Sequence, residues 1–158
     1  MKLRKEVNLL KVNKMDFVTG FMFSTNKSRV ALIREIKLGW LHECLDGKAC
    51  LAGITGMIEE NELPLQAMKR KFAEKAGLFH HDWRLFCELE GVWGREYFFT
   101  AKGEVDLLTS IVDEIIEIIE VDKIYQRKTM LNLRWLIPLA AENGEIALIE
   151  REVIEVCR

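Results

Sequence analysis

Two prolines in 158 residues leave little to interrupt regular structure, and no Pro-, Gly- or Ser-rich stretch is present to act as a linker. Low-complexity segments and internal repeats are also missing, so one domain spanning residues 1–158 is expected. Neither sign of charge dominates: 23 Lys and Arg stand against 25 Asp and Glu, a formal net charge of −2. That balance excludes a bulk electrostatic grip on DNA or RNA, so no nucleic-acid partner is expected. No apolar run is long enough to span a bilayer, which removes the membrane as a partner. Residues Met1 to Lys14 are basic but lack the continuous apolar stretch of a signal peptide, and a cytoplasmic location is expected. The four cysteines, Cys44, Cys50, Cys87 and Cys157, show no paired metal spacing and no Cys-x-x-Cys. They read as buried free thiols.

What is present is a succession of short regular elements. Asp16–Ser24 and Arg29–Ile36 are rich in β-formers and flank the polar turn Thr25–Ser28, which predicts a hairpin. Asp46–Lys48 reads as a turn. Residues 49–56 are small and apolar with two glycines, suited to close packing of backbone. Leu63–Ala76 is the clearest helix: Pro64 suits its first turn, Leu65, Met68, Phe72 and Ala76 form a stripe, and Gly77 stops it. Trp83–Val92 and Glu96–Ala101 read as strands joined near Gly94. Residues 107–124 carry Glu114, Glu117 and Glu120 at every third position, between the strand and helix periods. A loop or helical turn running into a strand around Ile118–Ile124 is expected there. Leu131–Ala141 reads as a helix with Leu133, Leu136, Ile137 and Ala140 on one side, and Asn143–Gly144 as a turn. The tail, Glu145–Arg158, is either a strand or a short amphipathic helix. Helices on both faces of a mixed sheet follow from this order.

One stretch carries a chemical pattern. From Gly56, five residues lead to Glu62 and seven more to Arg70; then come Lys71, Phe72, Ala73, Glu74, Lys75, Ala76, Gly77 and Leu78. Gly56, Glu62, Arg70, Glu74, Gly77 and Leu78 stand at the spacing of a Nudix box, and the segment resembles one. Lys71 and Lys75 occupy positions where that box has glutamates. Leu51–Gly56 is similar to the family's glycine-rich approach, Glu59 to a glutamate often found after the first glycine, and Leu131–Ala140 to the final helix of several members. The resemblance covers residues 16–141, leaving 142–158 as a C-terminal extension, and implies an α/β/α sandwich around a mixed sheet.

The resemblance also implies an activity, cleavage of the pyrophosphate of a nucleoside diphosphate derivative or a nucleoside triphosphate with Mg2+ or Mn2+. Positions 71, 74 and 75 share one helix face, and three carboxylates there make a hard-oxygen site for magnesium. Here that face reads Lys, Glu, Lys, and its formal charge changes from −3 to +1. Lysine has no acceptor and cannot ligate a cation. Under the hydrolase reading, Glu74 is the remaining ligand and Gly56 offers its carbonyl. Glu59, Glu60, Glu114, Glu117 or Glu120 compensates, with Glu62, Arg70 and Gly77 as scaffold. The alternative is a catalytically inactive member that binds a nucleotide, a phosphorylated metabolite or a protein partner, with Lys71 and Lys75 facing the anion and no metal. A homodimer is a further expectation of the family.

Bland readings stand beside these. Lys71 and Lys75 also fit a solvated helix face, and Glu114, Glu117 and Glu120 a solvated edge. His80–His81 and His42 read as surface features, having no partners at metal spacing. Trp40, Trp83, Trp93 and Tyr97 could stack on a base but fit core packing better.

Overall fold

The structure is a computed structural model describing residues 14–35, 50–91, 94–111, 114–130, 132–142 and 146–150. Eight described strands form one mixed sheet: β1 (Phe17–Phe23), β2 (Arg29–Glu35), β3 (Cys50–Ala52), β4 (Ile54–Met57), β5 (Arg84–Gly91), β6 (Gly94–Lys102), β7 (Ile115–Glu120) and β8 (Ile146–Glu150). Two α-helices among the described residues, α1 (Pro64–Ala76) and α2 (Leu133–Ala141), complete the frame. No described helix is long and apolar enough to cross a membrane.

The register gives the sheet its shape. β6 runs parallel to β1 along its whole length, from Phe17↔Glu96 to Phe23↔Lys102. A strand has two edges, so β2 and β4 share the other edge of β1. β2 takes Met22 and Phe23; β4 takes Phe17 to Gly20. Likewise β7 covers one edge of β2 from Arg29 to Arg34, and β3 pairs on the other edge at Ile33 to Glu35. β1 and β2 therefore diverge from the hairpin as a V. The chain enters the V along β2, turns at Gly53 and leaves along β1. A Cβ on Gly53 would stand 2.4 Å from Thr19 Cγ2 and 2.9 Å from Phe21 Cε1, so only glycine fits this vertex.

Both faces of the sheet are covered, which is why its central strands read as apolar runs rather than alternations. On one face Phe21, Phe23, Val30, Leu32 and Phe98 pack with Leu133, Leu136, Ile137 and Ala140 of α2. On the other, Val18, Met22, Ala31, Ile33 and Phe99 pack with Ala67, Met68, Phe72 and Ala76 of α1. This is the α/β/α sandwich expected. Gly20 lets α1 approach, since a Cβ there would stand 2.5 Å from Met68 Cε.

The hairpin, α1, the β5–β6 pair and α2 form where expected. Gly77 closes α1 at φ 68° with its N–H on Ala73 O, and Gln66 Oε1 accepts the N–H of Leu63 at the helix entry. Lys27 caps α2 from the hairpin tip, donating to Ala140 O at 3.2 Å and Ala141 O at 2.9 Å.

Three expectations need correction. The strand in the isoleucine-rich stretch is Ile115–Glu120, and Val121–Gln126 is a 3₁₀ segment whose Ile124 is buried. Pairing along all of β2 fixes that register, which no local pattern states. Leu65 lies in the first turn of α1 and stays 39% exposed, while Ala67 is buried instead. Of the two readings of the tail, residues 146–150 take the strand, β8, parallel to β5. Cys87 is free and buried, as expected, with burial pushing its thiol up to about 11. Cys50 is disulfide-bonded instead. Cysteine pairing follows proximity in the folded chain, which spacing does not encode. The expected turns at Asp46–Lys48 and Asn143–Gly144, and Trp40, His42, Cys44, Trp93 and Cys157, lie outside the described residues.

Candidate functional site

β4 delivers Gly56 opposite Val18, and α1 returns across β4 and β1 on the same face. Between them the chain makes a tight turn. Glu62 N–H donates to Glu59 O at 3.1 Å, and Glu59 N–H donates to Glu62 Oε2 at 3.0 Å. Asn61 takes the left-handed conformation at φ 63°, which asparagine tolerates better than most residues.

Arg70 is the hub. Its Nε donates to Glu62 Oε1 at 2.7 Å and its Nη2 to Glu62 Oε2 at 2.6 Å, a two-point grip on one carboxylate. Nη2 also reaches Met57 O at 3.2 Å, and Nη1 lies 3.2 Å from Glu74 Oε1 and 3.3 Å from Glu59 Oε1. The Arg70–Glu62 pair expected of the scaffold is thus formed. Hydrogen bonding from Arg70 holds the Glu62 carboxyl below the usual carboxylate range, against the opposing effect of burial.

The two lysines complete the network. Lys71 Nζ donates to Glu74 Oε2 at 2.7 Å, and this bond, ahead of the one from Arg70, lowers the Glu74 pKa. The methylene stem of Lys71 lies over Gly56: a Cβ on that glycine would stand 2.3 Å from Lys71 Cδ. Lys75 Nζ lies 2.8 Å from Glu114 Oε2 and 3.1 Å from Glu114 Oε1. Their side chains are only 23% and 16% exposed, so these lysines belong to the structure rather than to a solvated face.

These residues do not fit the magnesium or manganese that the resemblance implies. A hard cation needs several oxygens with free lone pairs. Glu62 is held by Arg70, Glu74 by Lys71 and Arg70, and Glu114 by Lys75. Three cations face four carboxylates counting Glu59, so the cluster is almost neutral without a metal. Among the described residues, no group of three His, Cys, Asp or Glu is placed to hold a metal ion.

Of the compensating carboxylates, Glu114 alone joins the box lysines. Glu120 pairs with Lys123 instead. Glu117 pairs with Arg34 and, at 2.6 Å, with Arg127; at 16% exposure it is no solvated edge. Glu117 opposes Leu32 in the register and so lies on the α2 face, away from the box helix. His80 is also more than a surface feature. Its ring lies edge-on to Phe72 and Trp83, with centroids 6.3 and 5.8 Å away, and burial lowers its pKa. Trp83 is 6% exposed and belongs to the core, with Tyr97 packed against the same cluster.

The sequence reading missed a polar group at this end of the sheet. Thr19 Oγ1 lies 2.6 Å from Glu96 Oε1 and 3.0 Å from Thr55 Oγ1, and Thr55 Oγ1 donates to Val18 O at 3.0 Å. Thr19 shares the α2 face with Phe21 and Phe23, and Thr55 directly precedes the box glycine. Threonines inside an apolar strand were the available signal, but their meeting with Glu96 depends on the parallel β1–β6 register.

No protein-family model matches the sequence, and no curated relative is found by sequence. Solved structures do match. One is a MutT structure from work on the fish pathogen Aliivibrio salmonicida and Vibrio cholerae. It has a TM-score of 0.69 and 12% identity, over 82% of this chain and 98% of that one. A Nudix-family hydrolase from Clostridium perfringens matches at TM-score 0.63 and 17% identity, over 84% of this chain and 99% of that one. The Nudix domain of Shewanella oneidensis NrtR, solved with ADP-ribose, matches at TM-score 0.64 and 19% identity, over 82% of this chain and 88% of that one. These likenesses establish the Nudix fold.

Proposed function

On the premise of a Nudix fold with lysines at two metal-ligand positions, we propose that this chain binds a nucleotide derivative containing a pyrophosphate. It does so at the Gly56 end of the sheet, beside α1, without metal-assisted cleavage at the box. The single observation that carries this reading is Lys71: its stem covers Gly56 and its ammonium sits on Glu74. A carboxylate neutralised by an internal lysine is a poor ligand, and clusters of this kind tolerate lost ligands badly. The ADP-ribose bound to the NrtR domain supports the ligand class.

A second reading is a Nudix hydrolase with a rebuilt metal site. It is favoured by the gathering of Glu59, Glu62 and Glu74 around one guanidinium. If Lys71 swings away from Gly56, Glu74 is released to a cation.

The deciding experiment is phosphate and pyrophosphate release from a panel of nucleoside triphosphates and nucleoside diphosphate derivatives, with magnesium or manganese. Glu74→Gln is run in parallel. The binding reading expects no turnover above that variant and a raised melting temperature with at least one member of the panel. Metal-dependent turnover that collapses in Glu74→Gln would establish the hydrolase.

A further inference from the structure

We propose that Lys71 acts as a tethered cation in place of the divalent metal, so that the box takes a pyrophosphate directly and in its metal-free form. This rests on the nucleotide-binding reading above. An ammonium has three N–H donors. Among the described residues, one of them is engaged at Lys71, on Glu74 Oε2 at 2.7 Å. The stem is packed over Gly56, which fixes where the charge sits at little further cost in side-chain freedom. Lys75 follows one turn later on the same helix face, its ammonium paired with Glu114. Charge-assisted hydrogen bonds from ammonium to phosphate are the strong class of such bonds, and lysine serves as a point charge in phosphate sites.

The replacement reverses the expected dependence on magnesium. A metal-bound site recruits pyrophosphate through the cation, so chelator abolishes binding. A lysine site competes with free magnesium for the same oxygens, so magnesium weakens binding.

The test is calorimetric titration of inorganic pyrophosphate and of ADP, each with EDTA and with millimolar magnesium. The proteins are the unmodified chain, Lys71→Met, and Lys71→Glu combined with Lys75→Glu. Lys71→Met keeps an apolar stem over Gly56 and removes the charge, and its melting curve verifies the fold. The expected result is binding in EDTA that magnesium weakens, and affinity lower by about tenfold in Lys71→Met. The double variant should lose binding in EDTA and gain binding that requires magnesium. Binding by the unmodified chain that requires magnesium, or equal affinity in Lys71→Met, overturns the proposal while leaving the nucleotide-binding reading intact. If neither probe binds in either condition and no nucleotide raises the melting temperature, both fall together.

Discussion

At Arg70 one guanidinium meets three carboxylates and a backbone carbonyl, and the partners differ in what they contribute. Glu59 is 69% exposed, so its 3.3 Å contact is weakened by solvent. Glu62 is 15% exposed and bound at two points. Glu62→Ala should therefore destabilise the fold by about 1–2 kcal/mol, read from the urea midpoint, because it leaves Arg70 without its main partner. Asp106→Ala breaks the equally short Arg29–Asp106 pair but on an open surface, and should leave the midpoint unchanged. Acidification should act in two stages. The His80 pKa lies below its usual 6.5 because burial disfavours its charged form. Its contribution is thus complete above pH 6.5 and falls as the unfolded chain takes up a proton that the folded ring resists. The Glu62 and Glu74 pKa values lie below 4.5, so their contribution is complete above that value and is lost as pH falls through the folded values. His80→Phe should remove the first stage and leave the second, as measured by urea midpoint against pH.

At the scale of elements, α1 was legible because its start, apolar stripe and glycine stop all agree in one short window. The box spacing was legible for the same reason, since Glu62, Arg70, Lys71, Glu74 and Lys75 are local. The partner of Lys75 was not, because Glu114 arrives from another part of the chain. β7 was misplaced because glutamates every third residue fit neither period; in the strand Glu117 turns inward to two arginines while Glu120 turns to Lys123. Two predictions belong here. Gly53→Ala pushes a methyl into Thr19 and Phe21 at the vertex of the V, and should lower stability by about 1–3 kcal/mol. Lys27→Met removes the cap on the last carbonyls of α2 and should lower it by about 0.5–1 kcal/mol, with the loss concentrated in amide exchange of the last helical turn.

For the whole molecule, the sandwich was legible from element order and from strands apolar on both faces, whereas the V was not. Nothing local states that β4 joins β1 or that β6 runs parallel to it. The Thr19–Glu96 contact depends on that topology, which is why the polar group beside the box was invisible while the box was not. The V has a further consequence, in time rather than in space. Phe17 finds its partner at Glu96, so the strand that frames the site cannot complete its own edge until β6 has formed. The hairpin and α1 can form early from local contacts, but the box waits for pairings distant along the chain. Refolding should accordingly run on the order of milliseconds to seconds rather than microseconds. Stopped-flow fluorescence of a variant that keeps Trp83, buried beneath α1, as its one tryptophan should show it being quenched or shifted only in that slow phase. During synthesis, the frame around the box comes into being after most of the chain has already been made.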